Sequence, residues 1–70
     1  MEYTGRFRTL DSTDHGERVA VLEYTSTARV PYCECSRCGK PIIRRMYTVQ
    51  SAETGVELEY LGSECIKRLR

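Results

Sequence analysis

A chain of 70 residues and 8.1 kDa has room for one small domain, residues 1–70. It contains no tryptophan and one phenylalanine, so we expect a metal ion, disulfides or a partner chain to stabilise a modest core. A net charge of +1 excludes a general polycation. With no run of 18 apolar residues and no apolar leader, the sequence predicts a cytoplasmic protein without a membrane span.

The first part of the chain, residues 1–32, predicts an antiparallel β-hairpin. Side chains alternate over 3–10 and over 18–25, and turn-forming residues at 11–16 separate the two runs. We expect Val19 and Val21 to face one side of the second strand. The edge of that strand is expected to stay open to a partner sheet.

The second part, residues 33–70, predicts a cysteine-bearing turn, a second hairpin and a short helix. The hairpin strands are placed at 41–49 and 56–60, with Glu57 and Glu59 on the wet face of the later strand. Ser63 is expected to cap a helix over 63–70. The chain is therefore predicted to be a small α+β domain.

The four cysteines are the residues most indicative of a site: Cys33, Cys35, Cys38 and Cys65. Clustered cysteines in a chain without an export signal favour metal ligation over disulfides. Gly39 allows the tight turn after Cys38, so that backbone N–H groups of Gly39 and Lys40 can point at the Cys35 sulfur. We predict one structural Zn²⁺ held by all four thiolates.

Three alternatives remain open at this point. In the first, Cys33 is not a ligand, and His15 or a water completes the coordination shell of the other three cysteines. In the second, all four thiols are without a metal. In the third, iron rather than zinc occupies the site. A redox role for the Cys35–Cys38 spacing is disfavoured, because no βαβ pattern surrounds it.

The motifs Cys35-x-x-Cys38-Gly39-Lys40 and Gly62-Ser63-x-Cys65 resemble those of treble-clef and zinc-ribbon-like zinc fingers. They also look like those of small phage and prophage zinc proteins. This resemblance implies a zinc-bound knuckle–hairpin–helix unit over residues 33–70. A treble clef usually takes two ligands from the start of its helix, and here Lys67 and Arg68 stand where a second would fall.

Function is predicted to be non-catalytic. The lone histidine lies in a turn, the histidines of treble-clef nucleases are missing, and four thiolates would close the metal shell. The preferred hypothesis is a protein-interaction module, with no small-molecule substrate. The phage resemblance implies a host protein as its partner. Tyrosines and Phe7 are candidate contact residues, although core positions suit them better: Tyr3, Phe7, Tyr24, Tyr32.

The alternative hypothesis is a zinc finger that binds DNA or RNA. Basic residues surround the knuckle and close the chain: Arg37, Lys40, Arg44, Arg45, Lys67, Arg68, Arg70. Together they predict a basic patch on a nearly neutral protein. Tyr47 and Tyr60 are candidate stacking surfaces for bases. In the competing interpretation, Glu57 and Glu59 pair with Arg44 or Arg45 across the hairpin.

Overall fold

The fold is α+β and mostly antiparallel, as expected. The computed structural model describes residues 1–11 and 13–69, except for the side chains of Arg6 and Phe7. It contains the following elements: β1 Glu2–Leu10, β2 Val19–Thr25, β3 Cys33–Glu34, β4 Pro41–Ile42, β5 Arg45–Ser51, β6 Glu57–Leu61 and α1 Ser63–Ile66. The prediction of a small α+β chain with one short C-terminal helix is confirmed.

One four-stranded antiparallel sheet runs through both parts of the chain, in the order β1-β2-β5-β6. The predicted N-terminal hairpin is present, with Leu10 opposite Val19. β2 pairs along its other side with β5, where Val21 lies opposite Val49. The prediction that β2 is an open edge is therefore wrong, because its backbone bonds to strands on both sides.

The predicted single strand over 41–49 is divided in two. Pro41–Ile42 pairs with Cys33–Glu34 in a small separate sheet, whereas Arg45–Ser51 joins the main sheet. The carbonyl of Arg44 accepts a bond from the N–H of Ser26 at 2.8 Å, and that of Ile42 accepts one from Tyr32 at 2.8 Å. The chain thus leaves the small sheet and enters the main sheet at residues 43 and 44. The alternation of side chains did not predict this change.

The later hairpin strand exposes Glu57 as predicted but buries Glu59. Glu59 and Leu61 are buried, while Val56 and Leu58 are exposed. The register between β5 and β6 shifts between Val49 and Gln50. A one-residue irregularity of this kind moves side chains to the other face of a strand, so the predicted wet position of Glu59 is wrong.

The helix is shorter than predicted and begins differently. Gly62, in an extended conformation, is the N-cap and supplies no side-chain bond, so the prediction of Ser63 as the cap is wrong. After Ile66 the chain continues in tighter turns, since the N–H groups of Arg68 and Leu69 bond to carbonyls three residues earlier. Ile66 and Leu69 are both buried.

Among the described residues, a hydrophobic core joins the sheet to the cysteine-bearing segments. Val19, Val49 and Leu61 are fully buried at its centre. Ile42, Cys35, Cys65 and Ile66 belong to the same cluster. The core therefore ties the first hairpin to the C-terminal part of the chain.

Candidate metal centre

Three cysteine side chains meet at one point of the fold. The Sγ atoms of Cys35, Cys38 and Cys65 all lie within 4.8 Å of one another. Cys35 and Cys65 are 3% and 7% exposed, whereas Cys38 faces solvent. The arrangement combines two buried thiols, one directly after β3 and one in α1, with one accessible thiol.

The turn that carries Cys35 and Cys38 is closed by its own backbone. The N–H of Cys35 donates to the Lys40 carbonyl at 2.9 Å, and the N–H of Gly39 donates to the Cys35 carbonyl at 3.0 Å. Gly39 has a φ of 75°, the left-handed conformation that the sequence predicted. These bonds hold the two thiols on one side of the turn.

Cys65 reaches the same point because the end of β6 bonds directly to the cysteine turn. The N–H of Ser36 donates to the Tyr60 carbonyl at 2.8 Å, and the Ser36 hydroxyl accepts from the Tyr60 N–H at 3.0 Å. Gly62 then turns the chain into α1, with its Cα region close to Ile42. The Ile66 N–H donates to the Gly62 carbonyl at 3.1 Å, which fixes the turn that carries Cys65.

The electrostatics favour a thiolate at Cys35. Burial raises its pKa, but N–H groups of Cys38, Gly62 and Arg37 and the Cys65 thiol donate to its sulfur and lower the pKa to about 6. The prediction that Gly39 and Lys40 supply these donors is wrong.

The pKa of Cys65 is raised by its bonds to Cys35 and Cys38, because its proton is shared with them. A cation placed among the three sulfurs would release that proton.

Cys33 and His15 both lie outside this cluster. The Cys33 thiol contacts the Met46 sulfur at 3.7 Å, and burial raises the pKa of Cys33. The His15 Nε2 atom bonds to the Glu59 carboxylate. Of the four predicted ligands, the structure thus brings three together.

A second cluster, which the sequence did not predict, surrounds Glu59. Arg37 donates to both Glu59 oxygens, at 2.7 Å and 2.8 Å, and its Nη2 atom reaches Asp14 at 2.8 Å. His15 contacts the same carboxylate. Because a guanidinium already supplies the positive charge here, this cluster is an ion-pair network rather than a cation site. Its members come from three distant parts of the chain, so no local pattern could have indicated it.

The predicted basic patch is only partly available. Arg37 is committed to Glu59, and Lys67 lies 3.8 Å from Glu64. The exposed members free of Glu59 are Lys40, Arg44, Arg45, Lys67 and Arg68, whereas Arg70 lies outside the described residues. The interpretation that Glu59 pairs with Arg44 or Arg45 is wrong, because its partners are Arg37 and His15.

The two predicted stacking residues are also engaged. The Tyr60 hydroxyl bonds to Glu57. Burial and a bond to Glu23 raise the pKa of Tyr47. Both rings are half-buried rather than openly displayed. They therefore offer little free surface on which a base could stack.

No helix in the described ranges is long and apolar enough to cross a membrane.

Comparison with protein-family models, curated proteins and solved structures found no match to this chain. Neither the treble-clef nor the phage-protein resemblance is thus supported by a family or fold match. What the structure itself shows is a cluster of Cys35, Cys38 and Cys65 that can bind a metal ion.

Proposed function

We propose that the protein is a non-catalytic binding module whose fold is completed by one Zn²⁺ at Cys35, Cys38 and Cys65. The observation that carries the proposal is the separation of the three sulfurs, all within 4.8 Å of one another. Tetrahedral zinc with bonds of about 2.3 Å places its sulfur ligands about 3.8 Å apart. Movements of about 1 Å are thus enough to form the site.

The donor set supports zinc over harder cations. Thiolates select zinc and similar soft ions, whereas calcium and magnesium require oxygen ligands. The N–H groups aimed at the Cys35 sulfur would stabilise a bound thiolate. Cysteine-rich zinc sites are most often structural. The one histidine of the chain, His15, is committed to Glu59.

The cobalt-substituted protein tests both the ion and the number of thiolates. Cys38 is exposed, so Cys38→Ser removes a ligand without opening a core cavity. We expect Cys38→Ser to lower metal affinity by at least about tenfold and to weaken the thiolate-to-cobalt absorption. The matched variant Cys33→Ser should leave both unchanged, because Cys33 contacts Met46.

Native mass spectrometry of the wild-type chain should show one zinc ion. A chain that is isolated metal-free and keeps its amide dispersion in a chelator would contradict the proposal. A loss of about one quarter of the cobalt absorption in Cys33→Ser would instead establish the four-thiolate shell that the sequence predicted.

A function in protein binding is favoured over nucleic-acid binding. Of the predicted phosphate-contacting residues, Arg37 is held by Glu59. The tyrosines predicted to stack on bases are bonded within the fold. Three of the cations that remain exposed, Lys40, Arg44 and Arg45, flank the apolar segment 41–43 in the chain. An apolar centre with a charged rim is typical of protein interfaces.

A further inference from the structure

A groove runs between the segment 41–45 and the start of α1. Its wider part has a volume of about 290 Å³ and is lined by residues 41–45 together with Gly62 and Ser63. A second part of about 110 Å³ shares Pro41, Ile42, Gly62 and Ser63 and extends to the three cysteines. Because the two parts share these four lining residues, they are adjacent on the protein surface.

The floor of the groove is apolar. Ile42 is buried beneath it, and Ile43 is 38% exposed beside it. Gly62 has no side chain to fill the opposite side of the groove. The atom nearest to a Cβ placed there would be in Ile42, 3.9 Å away. An apolar side chain entering from outside would therefore contact Pro41, Ile42 and Ile43.

The rim of the groove is positive. Lys40, Arg44 and Arg45 are all exposed along one segment. Within the described residues, Lys40 and Arg44 form no ion pair, in contrast to Arg18 with Asp11. Glu64 is the one carboxylate among the described lining residues, and it lies close to Lys67.

We propose that this groove binds an acidic, extended peptide segment of a partner protein, with an apolar side chain of the peptide on the Pro41–Ile42 floor. Three cations around an apolar strip complement carboxylates that flank a hydrophobic residue. No aromatic residue is among the described groove-lining residues, which disfavours single-stranded nucleic acid. The inference rests on the proposed function as a binding module.

The metal site is placed to hold the two walls of the groove together. Cys35 and Cys38 precede the Pro41 wall, and Cys65 follows the Gly62 wall. An ion bound by all three would fix the width of the groove. Preorganisation of this kind lowers the entropy lost when a peptide binds.

The test is a selection of random 12-residue peptides displayed on ribosomes against the zinc-loaded full chain. We expect selected peptides to share acidic residues on both sides of an apolar one and to shift the amide resonances of Ile43, Gly62 and Ser63. Lys40→Glu/Arg44→Glu should weaken their binding at least about tenfold. The matched charge reversal Arg8→Glu/Arg29→Glu, outside the groove-lining residues, should weaken it less than about twofold.

Three outcomes would overturn the inference. The first is that the selected peptides show no acidic enrichment. The second is that the protein resonances they shift lie outside the groove. The third is that a 12-residue oligothymidylate binds the groove more tightly than any selected peptide. Zinc content and amide dispersion are measured on the same samples. Absence of peptide binding to the zinc-loaded, folded wild-type chain rejects the groove alone, whereas a wild-type chain that is folded without zinc rejects the proposed function.

Discussion

Glu59 shows how one buried carboxylate can organise distant residues. Its side chain is 8% exposed and bonds to Arg37 and His15. Arg37 lies between Cys35 and Cys38 in the chain, so this carboxylate also orients the cysteine turn. A buried carboxylate without partners would be strongly destabilising, so these bonds are required for Glu59 to face inward.

The contribution of Glu59 to stability should depend on pH. The bond from Arg37 lowers its pKa below the ordinary value near 4.5, against the opposing effect of burial. A carboxyl with a lowered pKa in the folded state stabilises the protein above pH 4.5, and this contribution is lost as the pH falls through the lowered value. We expect Glu59→Gln to lower the free energy of unfolding by about 2 kcal/mol at pH 7.

Urea unfolding of both proteins between pH 3 and pH 7 measures the difference. It should shrink progressively as the pH falls below 4.5 and through the lowered pKa of Glu59, because protonation of the wild-type carboxyl removes its charge. Glu53→Gln, at an exposed position, is the control and should behave as wild type throughout. A difference that does not change with pH would show that charge is not the cause.

At the scale of elements, the cysteine turn depends on the conformation of Gly39. Its φ is 75°, and no heavy atom lies within 4 Å of a Cβ placed there. Gly39→Ala therefore strains the backbone without a steric clash. We expect a loss of roughly 1–2 kcal/mol in stability and a lower zinc affinity.

Gly16→Ala is a close control for this variant. Gly16 has a φ of 74° and equally open surroundings, but it lies in the β1–β2 connection. Both variants should lose similar stability in chemical unfolding, and Gly39→Ala should show the greater weakening in competition with a zinc chelator. Equal zinc affinities in the two variants would contradict the role assigned to the turn.

The sequence predicted those elements whose signals are local. The hairpin of β1 and β2 follows from alternation, and Cys35, Cys38 and Gly39 follow from their spacing. The inward position of Glu59 depends on a register shift and on Arg37 and His15, which are distant in sequence. The helix likewise ends at Ile66, short of the predicted end at residue 70.

On the scale of the whole molecule, removal of the metal should affect both parts of the chain. Val19 and Val21 of the first hairpin share a core with Cys35, Cys65 and Ile66. Because β2 also pairs with β5 over seven residues, the sheet links the hairpin to the metal-bearing segments. We therefore expect unfolding to be a single cooperative transition.

A chelator should lower the melting temperature by at least about 10 °C, because a domain of this size shifts by about 4–8 °C for each kcal/mol. Amide resonances of Val21 and Ile66, followed during heating, should disappear together. A chelator that binds magnesium but not zinc, used at equal ionic strength, serves as the control. Melting of Ile66 alone, with Val21 unchanged, would show that the hairpin is stable on its own.

The outer strand β1 has a further consequence for behaviour at high concentration. Its register against β2 shifts between Tyr3 and Phe7, and Gly5 there has a φ of 84°. Glu2 and Arg8 add exposed charges along the same strand. An interrupted, charged border is a poor template for stacking further copies, so this margin of the sheet opposes fibril growth.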